Sequence, residues 1–508
     1  MAPNRRKLGS SMRFLPRRSF VAAALAACSL VVCPGSAPAA DARSAERVFR
    51  AGVAQLDITP ELGSLIVGGF NPIPARHIHD PLYARALVLD DGQNRIAFVV
   101  CDNVGIAREP IDAAKQLIAQ QSKLPGSRVM VSATHTHSGP SARAESYIPS
   151  DKIPAPEPTP PPLTKYQQFI ARRIADVVHC AINNLEPAKI GWGSVRQPQH
   201  VFNRRWFVSD EALRHNPFGG IDRVRMNPPV GSPALERPAG PTDPEIPFIA
   251  LQAKDGHPIG LLAAYSLHYV GGVPAADISA DYYGMFNQRM RELVGAERNE
   301  PAFVSLMANG TSGNVNNIDF RTRRPTKKPY EHMREVATEV ADAVFAAYQK
   351  VEYRDWLPVD ARYRELSLAW RKPTPELVAQ SRDLLAKPPR TPPWQANERT
   401  YANRVLQLAN GPDRADVPLQ AFRIGELAIM TLPTETFAET GLELKARSPL
   451  KPAFAIELAN GSFGYMPTPE QHALGGYESW LGTNRLEIEA STKIVDALLG
   501  MVAEMKSK

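Results

Sequence analysis

Apolar and polar positions alternate in short bursts along this chain, separated by Gly, Pro and Asp turns, and they predict a sheet-rich fold with intervening helices. Residues 53–60 (V-A-Q-L-D-I-T-P) alternate with period two and stop at proline, as a strand does. Residues 82–89 and 96–101 are two more apolar runs split by Asp90-Asp91-Gly92, the pattern of a hairpin. A helical period follows at 110–121, then the apolar run that opens V-M-V-S-A-T-H-T-H-S-G-P at 129–140. A second hairpin is predicted around Asp255-Gly256 from 248–253 and 259–267, and residues 280–284 open a helix with Asp281 at its acidic start. Further strands are expected at 189–195, 304–307, 426–432 and 454–458, and further helices at 164–185 and 329–347.

Strand, helix and strand in succession point to the α/β class in its mixed α+β form: one large catalytic domain with a mixed sheet and active residues at strand ends. Sequence repeats are absent. Residues 150–163 are proline-dense and read as an extended surface loop. Residues 207–245 are irregular, rich in Pro and Gly, and long enough for a functional loop or lid. Residues 360–416 combine helical pieces with a Pro-rich break and read as a helical insertion.

The run at 129–140 carries the chemistry. Successive strand side chains alternate faces, so His135 and His137 share a side, with α-carbons roughly 7 Å apart. The Ser-Gly-Pro break leaves both at the sheet rim, where neutral imidazole suits a metal; the competing reading is one core histidine and one exposed. Other strand ends deliver His268, Glu435 and Tyr465, with Asp102 and Asn316 at similar rims. Two histidines, a carboxylate and one further oxygen suffice for an open catalytic zinc site. No C-x-x-C motif occurs, so such a site uses nitrogen and oxygen ligands.

Composition changes the picture in one respect. The formal net charge is +7, but six cations and no acids lie in residues 1–39, so the remainder is close to neutral and gives no footing to a nucleic-acid partner. That segment reads as an export signal: a basic start, an apolar stretch at 20–32 and an Ala-Pro-Ala site at 37–39. Arg17-Arg18-Ser19-Phe20 also fits a twin-arginine signal, and Leu25-Ala26-Ala27-Cys28 resembles a lipoprotein box with an anchor on Cys28. Residues 40–508 are then the mature, exported domain, periplasmic or secreted. Cys101 and Cys180 remain in it, and pairing between them is left open.

The sequence resembles the neutral (non-lysosomal) ceramidases in their N-terminal catalytic domain. The matching pieces are G-V-A-Q-L-D-I-T from Gly52, L-Y-A-R-A-L from Leu82, T-H-T-H-S-G-P from Thr134, S-L-H from Ser266, I-S-A-D-Y from Ile278, L-P-T-E-T from Leu432, Asn460 to Tyr465, and Tyr477-Glu478. The resemblance implies a zinc hydrolase of N-acyl amides, ceramide-like or other lipid amides, with peripheral membrane contact as one partner option. It places one Zn²⁺ per chain on His135, His268, Glu435 and Tyr465, a second active-site histidine at His137 and an active-site arginine at Arg204. Two features depart from the family pattern. Its Gly-Asp-x-Ser-Pro-Asn turn, the source of a catalytic serine, reads Gly313-Asn314-Val315-Asn316-Asn317 here, so Asn316 stands at the serine position. The chain also ends near the close of the catalytic domain, so the family's C-terminal β-sandwich is expected to be missing. The amide of Asn316 cannot be a nucleophile but can donate to an oxyanion. The expected function is an exported zinc amidohydrolase using a metal-activated water; a catalytically impaired binding protein on the same scaffold and a metallo-esterase are the alternatives.

Overall fold

The alternating segments pair into two sheets. The computed structural model describes residues 47–69, 71–143 and 162–506; the segment expected as a signal, including Cys28, and most of the proline-dense stretch lie outside them. The chain divides into Met1–Glu46 and Arg47–Lys508, and every element below belongs to the second unit.

The first sheet takes, in chain order, β1 (Arg50–Asp57), β2 (Tyr83–Asp90), β3 (Arg95–Cys101), β4 (Val129–Ala133), β5 (Glu186–Arg196), β6 (Glu245–Ala253), β7 (Pro258–Tyr265) and β8 (Val304–Asn309). Their spatial order is β8-β7-β6-β5-β1-β2-β3-β4. Pairing is antiparallel except at the two edges, where β7/β8 and β3/β4 run parallel. The second sheet is β9 (Val359–Ala369), β10 (Arg414–Ile424), β11 (Leu427–Leu432) and β12 (Ala453–Glu457) in that order, again closing on a parallel pair, β11/β12.

One arrangement therefore occurs three times without sequence repetition: a hairpin, a helix, and a strand parallel to the second hairpin strand. The linking helices are α1 (Arg108–Ser122), with α2 (Lys165–Asn183) beside it, α3 (Asp281–Leu293), with α4 (Glu331–Tyr348) beside it, and, after α5 (Pro375–Ala386) and α6 (Glu398–Asn410), α7 (Ala438–Arg447). A parallel pair places two strand C-termini on one edge, so each arrangement offers two chain ends to a common rim.

The period-two pattern explains the layering. On β2, Leu87 and Leu89 face the second sheet while Ala86 and Val88 face α1 and α2. Between the sheets, Phe98 of β3 meets Phe422 of β10 with ring centroids 4.7 Å apart. α3 and α4 cover the β6–β8 end of the first sheet, and α7 with the C-terminal helix α9 (Ala490–Lys506) covers the second, so four layers result. The short α8 (Pro469–His472) lies between α7 and α9 in the chain.

The mixed α/β class with a mixed sheet is thus what folds. Three local expectations change. The segment 360–416 holds the helices α5 and α6 but is bracketed by the eleven-residue strands β9 and β10. Within the irregular 207–245 region, Val224–Met226 and Leu235–Pro238 pair on either side of Arg205–Val208 as a small sheet. Asp102 is not a free rim carboxylate: it is fully buried, 2.7 Å from Arg85 Nη1, and accepts the Tyr83 amide at 2.9 Å. Cys101 and Cys180 are free thiols. Among the described residues no helix is long and apolar enough to cross a membrane.

Phe422→Ala removes the side chain that joins the sheets. A loss of about 3–5 kcal/mol is expected, read as a lower urea midpoint at unchanged slope.

Candidate functional site

His135 and His137 meet through a turn rather than through strand pleating. β4 ends at Ala133, and His135 takes a left-handed φ of 72°, a conformation costly for a non-glycine residue. Its amide is held by the Asn103 carbonyl at 2.9 Å and its Nδ1 by the Val104 carbonyl at 2.6 Å. The result is the shared side expected from the sequence: His137 Nε2 lies 3.1 Å from His135 Nε2. His137 stacks on Tyr269, centroids 3.9 Å apart.

His268 arrives from the opposite end of the sheet, three residues past β7. Its Nε2 is 3.1 Å from His135 Nε2, and its Nδ1 faces the Ser312 carbonyl and hydroxyl, each at 3.2 Å. Asp281, at the start of α3, accepts the amides of Val270 and Gly271 at 3.0 and 2.9 Å. It anchors the segment behind His268 rather than only capping its own helix. Ser312 in turn donates to Glu457 Oε1 at 2.6 Å, while Glu457 Oε2 accepts the Thr436 amide at 2.6 Å. Burial pushes the Glu457 carboxyl well above its usual range.

Glu435 comes from the second sheet, three residues past β11, and pairs in register with Tyr465 on a two-residue parallel ladder. Its Oε2 is 3.3 Å from His135 Nε2 and 3.8 Å from His268 Nε2; its Oε1 accepts from Arg143 Nη2 at 3.1 Å. Burial works against its charge, but the positive charge gathered around it, Arg143 on Oε1 included, holds its carboxyl well below the usual range. Burial and then Glu435 push the Tyr465 hydroxyl well above its usual value, and Arg204 pulls against both. Arg204 is buried under the Tyr465 ring, 5.4 Å from its centroid, with Nε on Glu478 Oε1 at 3.0 Å and Nη2 on the Gly313 carbonyl at 2.8 Å.

The turn after β8 ties these parts together. Gly313 donates to the Thr436 carbonyl at 2.7 Å, and a Cβ there would stand 2.5 Å from the Glu435 carbonyl oxygen, so only glycine permits the approach. Asn316 sits on the Val315–Asn316 ladder against Phe202–Asn203, and its Nδ2 donates to Asn227 Oδ1 at 3.2 Å. The geometry thus gathers His135, His137, His268 and Glu435 directly and Tyr465 and Arg204 around Glu435, and gives Asn316 a partner outside the histidine cluster.

These residues fit a metal cation. The carbonyl of Val104 can only accept, so His135 carries its proton on Nδ1, and the same holds for His268 against the Ser312 carbonyl. In the neutral rings both Nε2 atoms are then lone pairs facing each other at 3.1 Å, beside a buried Glu435 Oε2 without a hydrogen-bond partner. Burial holds His137 and His268 well below the ordinary imidazole value, so neither supplies a second proton. Converging lone pairs repel unless a cation lies between them. One ring nitrogen from each of His135, His137 and His268 falls within 4.8 Å of the other two.

Sequence reasoning missed the supporting residues. Arg143 and Glu457 follow no motif spacing, and Arg143 meets Glu435 across 292 positions; Asp281 lies in the I-S-A-D-Y piece, where the sequence shows only a helix start. Ser312 carries no sequence signal of this contact, and Glu478 belongs to the matching piece Tyr477-Glu478, to which no role attaches.

Residues 49–323, more than half of the chain, match the family described as neutral/alkaline non-lysosomal ceramidase, N-terminal. The fold is similar to the crystal structure of neutral ceramidase from Pseudomonas aeruginosa, with a TM-score of 0.66 and 20% identity, covering 91% of this chain and 75% of that one. It is also similar to a ceramidase complexed with C2, with a TM-score of 0.66 and 19% identity over 91% and 76% of the two chains.

Ser312→Ala removes a hydroxyl that both faces His268 Nδ1 and engages Glu457. It is expected to weaken divalent metal retention about 10–100-fold with the fold intact, measured by competition with a chelating indicator. Unchanged affinity would reduce this hydroxyl to packing.

Proposed function

Because the chain belongs to the neutral/alkaline non-lysosomal ceramidase family, we propose that it is a zinc-dependent hydrolase of N-acyl amides with one zinc per chain. The observation that carries this reading is the convergence of the His135 and His268 Nε2 lone pairs on a Glu435 oxygen without a donor. His135, His268, Glu435 and Tyr465 would hold the ion. Bound there, zinc would polarise the scissile carbonyl and lower the pKa of a water to about 7.

The remaining work falls to the protein. His137, neutral and fixed by Tyr269, is placed to take a proton from the attacking water and pass it to the leaving amine. Arg204, the arginine that the resemblance implies for the active site, has its guanidinium engaged by Glu478 and Gly313 and lies under Tyr465. Its proposed role is to hold the Tyr465 oxygen in place and favour its ionised form. Asn316 has one amide hydrogen on Asn227, and the other is proposed to donate to the developing oxyanion.

The test uses the purified mature chain on a panel of N-acyl amides and esters. Amide turnover that is lost on chelation and restored by zinc is expected. His268→Ala is expected to lose the ion. Asn316→Ala should lower kcat about a hundredfold with metal retained. Absence of turnover by the zinc-loaded chain leaves the binding-protein reading, and turnover of esters alone the metallo-esterase one.

Export is part of the same proposal, resting on the basic start, apolar stretch and Ala-Pro-Ala site of residues 1–39. A mature N-terminus near Ala40 is expected from N-terminal sequencing of the exported protein. A blocked, lipid-modified Cys28 would replace it with an anchored form.

A further inference from the structure

Charges around the site do not balance. Arg485 is half-buried over the Trp370 ring, 5.4 Å from its centroid, and its Nη2 donates to the Ser462 carbonyl at 3.1 Å. Its Nε lies 3.4 Å from where a Cβ on Gly464 would sit, and the Gly464 carbonyl accepts the Glu435 amide at 3.0 Å. The preceding residue, Asn484, donates to the Tyr465 carbonyl at 2.9 Å. Arg485 thus stands one backbone layer from two proposed zinc ligands.

The two nearby carboxylates are already engaged. Glu435 turns one oxygen to the histidines and the other to Arg143, and Glu478 is shared between Arg204 at 3.0 Å and Arg205 at 2.7 Å. Among the described residues Arg485 forms no ion pair. Its surroundings add like charge instead: burial, and then Arg143 and Arg404, bring it down to about 10 against the pull of Glu435. It therefore stays a cation at neutral pH. A half-buried guanidinium without a counter-charge can pair with an incoming oxyanion through charge-assisted hydrogen bonds.

Building on the hydrolase reading above, we propose that the site selects amides carrying an anionic group, a carboxylate or a phosphate monoester, near the scissile bond, and that Arg485 binds that group. Neutral N-acyl amides lack the charge that this side of the site is built to receive.

The test compares three substrates with one acyl chain on the zinc-loaded enzyme: N-lauroylglycine, N-lauroylphosphoethanolamine and N-lauroylethanolamine. The inference expects at least one anionic substrate to exceed the neutral one in kcat/KM by about 10–100-fold, and the better of the two identifies the anion. Arg485→Gln should remove that gap through KM, with a matching loss of N-lauroylglycine or phosphoamide affinity by calorimetry, and Arg485→Lys should restore part of it. If Arg485→Gln does not fold, the wild-type ranking decides alone. A neutral substrate turned over as well as both anionic ones, or an equal fall on all three in the variant, overturns this inference and leaves the hydrolase reading standing. No turnover of any of the three overturns both.

Discussion

Everything around the candidate site follows from one constraint: three imidazole nitrogens and a carboxylate oxygen point at a common space, and they repel one another there. Lone pairs 3.1 Å apart are held only if the other side of each ring is fixed. For His135 that fixing is the Val104 carbonyl, for His268 it is Ser312, and for Glu435 it is Arg143. Val104 is economical, since its carbonyl also lies 3.4 Å from Arg143 Nη2 and so links two ligands at once. The left-handed His135 backbone belongs to the same account: strain is kept where the arrangement around it leaves no alternative.

The scaffold explains how residues hundreds of positions apart reach that space. Each hairpin–helix–strand arrangement ends two parallel strands on one edge, and the clustered side chains leave two or three residues beyond β4, β7 and β11. The first sheet contributes the histidines from its two edges, and the second contributes Glu435. The sandwich core therefore sets the distance between the histidines and the carboxylate, through contacts such as Phe98 on Phe422. The turn at 308–317 closes the gap between sheets, and its Gly313 admits the Glu435 backbone at a separation that a side chain would forbid.

How much of this was legible follows from sequence separation. The hairpins and the His135–His137 pair are local, so period-two runs ended by Gly and Pro expose them. The strand β9 was hidden because its alternation breaks at Glu365-Leu366, where burial also changes from a clean in–out pattern. The strands at 224–226 and 235–238 are too short, and too near proline, to carry a period. α9 was not assigned at all, although Ile494, Val495, Leu498, Met501, Val502 and Met505 form a buried helical stripe. The residues that cluster could be named from strand ends and family resemblance, but not the groups that orient them. Arg143 and Glu457 act across folds of the chain, and a single sequence carries no signal of such contacts.

The same geometry decides what kind of nucleophile the site can use. The two nitrogens of an imidazole lie on opposite flanks of the ring. Ser312 meets His268 on the Nδ1 flank, whereas the converging lone pairs lie beyond Nε2. Its hydroxyl hydrogen is given to Glu457, whose carboxyl is itself pushed toward the protonated form by burial and makes a poor base. A serine in that position faces away from the reacting space and has no group to take its proton. Asn316, at the position where the family pattern has a serine, has no hydroxyl to offer. Within the proposed hydrolase, attack then falls to water in the space shared by His135, His137 and His268, and the turn after β8 serves as a clamp on His268 and Glu435 rather than as a source of the nucleophile.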